Sequence, residues 1–152
     1  MGRVPSAYWW QRKHLRQAFK GVWRSIFWVG HVNPMPVFID PFNTYIDTAV
    51  EIGQETVIEP NVWIMGKTKI GKNCRIGFGS IIIDSVIGDH VTVSGSKVVS
   101  STVDNHAVIG YTAQINRTHF GAHSKMLHRG YLGDAEVGEH VNIGAGVTTA
   151  NY

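Results

Sequence analysis

Apolar residues recur along this chain with two different periods. Over residues 7–29, Leu15, Phe19, Val22, Ile26 and Val29 fall at steps of three and four. The basic residues lie mostly between them, which predicts an amphipathic helix. Trp9, Trp10, Trp23 and Trp28 make that segment unusually aromatic, and Asn33, Pro34 and Pro36 end it. From Tyr45 the period changes to six. Ile46, Ile52, Ile58, Ile64, Ile70, Ile76 and Ile82 are seven consecutive anchors at that spacing. Small or β-branched residues stand four places beyond each anchor: Val50, Thr56, Val62, Thr68, Cys74, Ser80 and Val86. A six-residue beat suits neither an amphipathic helix nor an alternating strand. It suits a short strand and a turn, repeated, with the anchor pointing inward. The beat continues, with some five-residue steps, through Ile87, Val93, Val103, Ile109, Ile115, Phe120, Met126, Leu132, Val137 and Ile143. Only Lys97–Thr102 blurs it. A rung this small cannot bury its own anchor, so stability must come from stacking rung on rung. The expected architecture is therefore an N-terminal helical segment, residues 1–36, followed by an all-β solenoid over residues 37–152.

Composition narrows the reading. Of 152 residues, 43% are hydrophobic and 16% charged, which supports a packed core. The single Cys74 excludes an internal disulfide framework and a multi-cysteine zinc site, and its place at a small inward position predicts burial. No apolar stretch is long enough for a transmembrane helix, and no signal peptide is evident, so a cytoplasmic protein is expected. Residues 1–39 hold six basic residues and no acid, whereas residues 40–152 hold eight basic and eleven acidic ones. The basic character thus belongs to the first segment, and nothing in the repeat points to nucleic acid. For the first segment, packing on the solenoid or on a partner subunit is the leading reading. Contact with a membrane surface is the alternative.

Several motifs go beyond the repeat. Phe38-Ile-Asp-Pro-Phe-Asn-Thr-Tyr-Ile-Asp47 with Val50-Glu-Ile-Gly53 opens the solenoid. Tyr131-Leu-Gly-Asp-Ala-Glu-Val-Gly138, Val141-Asn-Ile-Gly-Ala-Gly146 and Asn151-Tyr152 close it. Together these resemble the acetyltransferase domain of the bacterial bifunctional N-acetylglucosamine-1-phosphate uridyltransferase/glucosamine-1-phosphate acetyltransferase. The resemblance covers about residue 37 to 152 and is most specific in its closing stretch, from His128 to Tyr152. It implies a left-handed parallel β-helix, a homotrimer with sites between subunits, and acetyl transfer from acetyl-CoA to the amine of glucosamine 1-phosphate, on the route to UDP-N-acetylglucosamine. No metal is implied for that transfer. His128, in Lys125-Met-Leu-His-Arg-Gly-Tyr131, falls at the family's catalytic histidine. Tyr131 falls at a tyrosine that contacts the sugar phosphate, and Asn142 and Asn151 at asparagines that hold the sugar and the region of its amine.

The departures matter as much. The family carries an Arg-Pro-Gly stretch and, one coil later, a lysine, both on the substrate phosphate. Here Ile109-Gly-Tyr-Thr-Ala-Gln-Ile-Asn-Arg117 runs directly into Phe120-Gly-Ala-His-Ser-Lys125, so about one coil is absent and Asn116 replaces the cation. Arg117, Lys125 and Arg129 are the candidate substitutes. The chain also stops where the family continues into coils that hold much of the acetyl-CoA site, so a truncated solenoid is expected. A noncatalytic trimeric β-helix, serving as a scaffold or a sugar-phosphate-binding module, is the alternative function. His119 and His123 lie four apart, a step that on a solenoid does not place two residues on one face, so zinc is not expected there. The repeat accounts for Gly144-Ala-Gly146 better than a phosphate loop does.

Overall fold

The computed structural model describes residues 35–149. The helix expected over residues 7–29 lies outside them, as does Asn151. The described chain is an all-β parallel solenoid that matches the left-handed β-helix expected. Three parallel sheets form its faces. The first face has seven short strands, running from Val37–Phe38 through Val57–Ile58, Arg75–Ile76, Thr92–Val93, Val108–Ile109 and Lys125–Met126 to Asn142–Ile143. The second face has six, from Tyr45–Ile46 to Gly130–Gly133, and the third has six, from Glu51–Ile52 to Glu136–Val137. No strand pairs with its sequence neighbour; each pairs with the strand one full circuit away. Val57, Arg75, Thr92, Val108, Lys125 and Asn142 are successive partners on the first face. The circuit varies slightly in length: Thr56 and Cys74, bonded across it, are 18 apart in sequence, Lys72 and Asp89 are 17 apart, and Asp89 and Asn105 are 16 apart.

The anchors line the inside as expected. Ile58, Ile64, Ile76, Ile82, Val93, Ile109, Phe120 and Met126 are wholly buried. Each such side chain contributes roughly 1.5–3 kcal/mol relative to exposure. The blurred stretch resolves simply. Val98 is buried between Val93 and Val103, so Lys97–Val99 is an ordinary rung of the second face reached by five-residue steps. One inward position differs from expectation. Val86 is 48% exposed on the third face, and Ser85 is buried in its place. The step from Ile82 to Ile87 is five positions, so the small inward position moves one place toward the N-terminus. Two buried hydroxyls bond to carbonyls of the next coil, Thr56 Oγ1 donating to Gly71 O at 2.7 Å and Ser124 Oγ to Gly138 O at 2.7 Å, while Thr68 and Ser101 donate within their own coil, to Met65 O and Val99 O at 2.7 Å. Cys74 is buried, as expected, with its thiol 3.0 Å from Gly88 O.

Three rows of tight corners join the faces. Many corner residues adopt the left-handed conformation at positive φ, where Gly, Asn, Asp and His are the best tolerated. Asn61, Gly79, Gly95, Thr112 and Gly146 do so where the first face turns into the second. Gly66, Asp84, Ser100, Arg117 and Asp134 do so between the second and third. Glu55, Asn73, His90, His106, His123 and His140 do so between the third and first.

Candidate functional site

His128 lies where Lys125–Met126 of the first face turns into Gly130–Gly133 of the second. Its side chain is exposed, as are those of Leu127 and Arg129. Tyr131, two positions beyond Arg129, is half-buried on the outer surface of the second face. Its ring folds back over Gly133: a Cβ on that glycine would stand 2.7 Å from the Tyr131 hydroxyl. A side chain at 133 would displace the phenol, so the glycine leaves the room in which the ring lies. The backbone beneath is held from the next coil. Tyr131 N donates to Val147 O at 2.9 Å, Thr149 N donates to Tyr131 O at 3.0 Å, and Gly146 N donates to Arg129 O at 2.8 Å.

These elements enclose a cleft of about 290 Å³ lined by Thr112, Gln114, Arg129, Gly130, Tyr131, Gly146 and Thr148. It is a polar groove with one cation on its wall. His128 stands beside it in the chain, on the same corner. Asn142 lies on the first face, exposed, one coil further on and paired in register with Lys125. The structure thus gathers His128, Arg129 and Tyr131 at one corner and leaves Asn142 on the neighbouring face.

The three candidate cations are separated. Arg129 borders the cleft beside Tyr131. Lys125 is exposed on the first face. Arg117 is at the opposite side of the second face, where its guanidinium grips both oxygens of Asp134. Hydrogen bonding to that carboxylate raises the Arg117 pKa and lowers that of Asp134.

Next to this pair is a constellation that the sequence reading does not assemble. His119 on the third face reaches Asp104 through Nε2 at 2.8 Å and Glu136 through Nδ1. Its pKa is raised, first by the Glu136 bond and then by the Asp104 bond, with burial opposing. The three residues come from successive coils, and the signal that finds them is the circuit length: His119 and Glu136 are 17 apart and in register. A second cleft, about 430 Å³, runs along Ser100, Thr102, Arg117, His119, Asp134 and Glu136. Its charged groups are already mutually paired, so it offers a substrate little unsatisfied charge. His119 and His123 do not meet in a shared site: one is on the third face and the other on the following corner.

Comparison with known proteins bears on the repeat and its relatives. The family pattern described as bacterial transferase hexapeptide (six repeats) matches residues 49–84. The bifunctional protein GlmU of Pediococcus pentosaceus is 41% identical over 159 residues, covering 93% of this chain and 34% of that protein. GlmU of Alkaliphilus metalliredigens is 39% identical over 140 residues, covering 80% of this chain and 31% of that protein. The solenoid is a GlmU-like hexapeptide-repeat domain. This hexapeptide-repeat chain spans about a third of the length of the curated relatives it matches. Among solved structures, PerB from Caulobacter crescentus, in complex with CoA and GDP-perosamine, aligns with 76% of the chain and 53% of its own at 15% identity and a TM-score of 0.37. That likeness is too loose to carry an argument. Among the described residues, no helix is long and apolar enough to cross a membrane.

Proposed function

We propose that this domain transfers an acetyl group from acetyl-CoA to the amine of a hexosamine 1-phosphate, in the cytoplasm, on the route to UDP-N-acetylglucosamine. The observation that carries the reading is the corner itself. An exposed imidazole, His128, adjoins a polar cleft walled by Arg129 and Tyr131, in a chain 41% identical to a GlmU protein over most of its length.

The chemistry follows from the side chains. The substrate ammonium must lose a proton before its nitrogen can attack, and a neutral imidazole is the side chain suited to accept it near neutral pH. The nitrogen then bonds to the thioester carbonyl carbon. The carbon–sulfur bond breaks, an amide forms, and CoA leaves as the thiol once it has taken up a proton. Tyr131 and Asn142 position the sugar, and Asn151 orients the amine. Arg129, on the wall of the cleft, meets the phosphate in this reading, in the role the family gives to an arginine and a lysine. Acetyl-CoA supplies the acetyl group, and no metal takes part in the transfer.

A homotrimer with sites between subunits fits the surface. Tyr45 and Trp63 are exposed on the second face with ring centroids 4.8 Å apart, and Phe78 is exposed on the adjoining corner. One observation favours the alternative, a noncatalytic sugar-phosphate-binding solenoid: Arg117, one of the candidate phosphate-binding cations, is already engaged with Asp134. Thiol release from acetyl-CoA with glucosamine 1-phosphate separates the two readings. Turnover that drops by about 10²-fold or more in His128→Ala supports the enzyme, in line with loss of a general base. A folded wild-type protein without turnover refutes it in favour of the alternative.

A further inference from the structure

The corner between the third and first faces carries a feature that the proposed transfer does not use. His90, His106, His123 and His140 occupy the same corner position in four successive coils. Their rings stack in one column, with centroids 4.8 Å apart at each step and interplanar angles of 3°, 5° and 5°. All four side chains are exposed, and all four backbones hold the left-handed conformation, with φ between 57° and 60°. The repeat itself builds this column. Each circuit returns the chain to the same corner, so four histidines far apart in sequence become neighbours.

Such a column presents imidazole nitrogens in a row, from side chains free to turn at the surface. Neutral imidazole is a favoured ligand of borderline divalent ions, and copper(II) stands highest in the divalent affinity order. Two imidazole nitrogens on one ion each stand about 2.0–2.1 Å from it, hence roughly 3–4 Å apart. Parallel rings 4.8 Å apart point their nitrogen lone pairs side by side, so ligation requires χ1 and χ2 rotations that unstack two neighbouring rings and turn their nitrogens onto one ion. The corner backbone needs no change for this, because the side chains are exposed. Among the described residues, no three histidine, cysteine or acidic side chains converge on one point. A site on this column would therefore draw on two imidazoles from the protein, with water for the remaining positions.

We infer that adjacent rungs of this histidine column bind divalent transition-metal ions of the copper(II) class, one ion to each pair of neighbouring imidazoles. Four rungs hold two ions, at His90 with His106 and at His123 with His140. An ion seated this way ties neighbouring coils together at one corner. The inference is independent of the acetyltransferase reading.

The test is the number of copper(II) ions bound per folded chain, by equilibrium dialysis, with electron paramagnetic resonance to count the coordinated nitrogens. Asparagine is the suitable replacement, because Asn73 already occupies this column in the left-handed conformation, at φ 54°. Circular dichroism checks that each variant is folded. His106→Asn leaves only the pair His123 and His140, so it binds one ion fewer than wild type. The double variant His106→Asn/His123→Asn leaves His90 and His140 three rungs apart and binds two fewer. The double variant His90→Asn/His140→Asn keeps the central pair and binds one fewer. The remaining histidines, including His119 and His128, are present throughout and cancel in these differences. Copper raises the thermal midpoint of wild type and not of His106→Asn/His123→Asn. Equal copper counts in wild type and His106→Asn/His123→Asn would overturn the inference, as would a resonance signal unchanged between them.

Discussion

Phe120 offers a demanding test of how the interior is packed. It is a wholly buried aromatic in the inward column of the third face, where the other anchors are Ile52, Ile70, Ile87, Val103 and Val137. Its partners in the coils below and above are Val103 and Val137, the two valines of that column. The large ring thus sits between the two smallest anchors, an arrangement that keeps the local volume constant. Val103→Ile adds one methylene beneath a ring that has nowhere to go, and overpacking of this kind costs about 1–3 kcal/mol. Phe120→Leu removes part of the ring and leaves a void for that methylene to fill. In the Phe120→Leu background Val103→Ile should therefore cost nothing or stabilise, giving a coupling larger than about 1 kcal/mol, well above the ~0.3–0.5 kcal/mol expected of independent sites. Urea unfolding of the four proteins, followed by circular dichroism, measures the cycle. The shift for Val103→Ile alone is on the order of 1 M, given slopes of about 1–3 kcal/mol/M. If Val103→Ile costs the same in both backgrounds, the ring and the valine do not share a volume, and the argument fails.

Two further outcomes are expected. The carboxylates on either side of His119 raise its pKa above the ordinary 6.5, so their contribution to stability is complete below that value and declines as the pH rises through the folded pKa. Urea midpoints measured from about pH 6 to 9 should fall in wild type and show less of that fall in His119→Gln; parallel curves would refute it. Burial pushes the Cys74 thiol up, so a thiol reagent at neutral pH should modify it only after denaturant is added, and rapid labelling of the folded protein would contradict its place in the core.

Much of the solenoid is legible because its rule is local. An isoleucine at every sixth position is visible within any short window, and the inward positions follow by counting. Counting fails where the step shortens. A six-residue beat carried past Ile82 puts Val86 inward, whereas the five-residue step puts Ser85 there. The same shortening hides Val98. The chemistry is less legible because it lives on the long period. His119 meets Asp104 and Glu136 at sequence separations of 15 and 17, and the histidine column recurs once per circuit. A reader intent on six sees only scattered histidines. His128, Tyr131 and Asn142 stand out by motif; the structure sets the first two at one corner and the third on the next face, and Asn151 lies outside the described residues.

The circuit has a consequence for how such a chain can change length. Removing a few residues from one turn would rotate everything beyond it about the long axis and point every later side chain in a new direction. Removing one whole circuit rotates nothing. It only lowers the upper part by a single step, about 4.8 Å, the spacing of parallel strands. A coil absent between Asn116-Arg117 and Phe120, as the resemblance to the family implies, would be a change of that second kind. Coil count is thus a unit of variation in this architecture, and the faces and corners above a deletion arrive with their compass bearings intact.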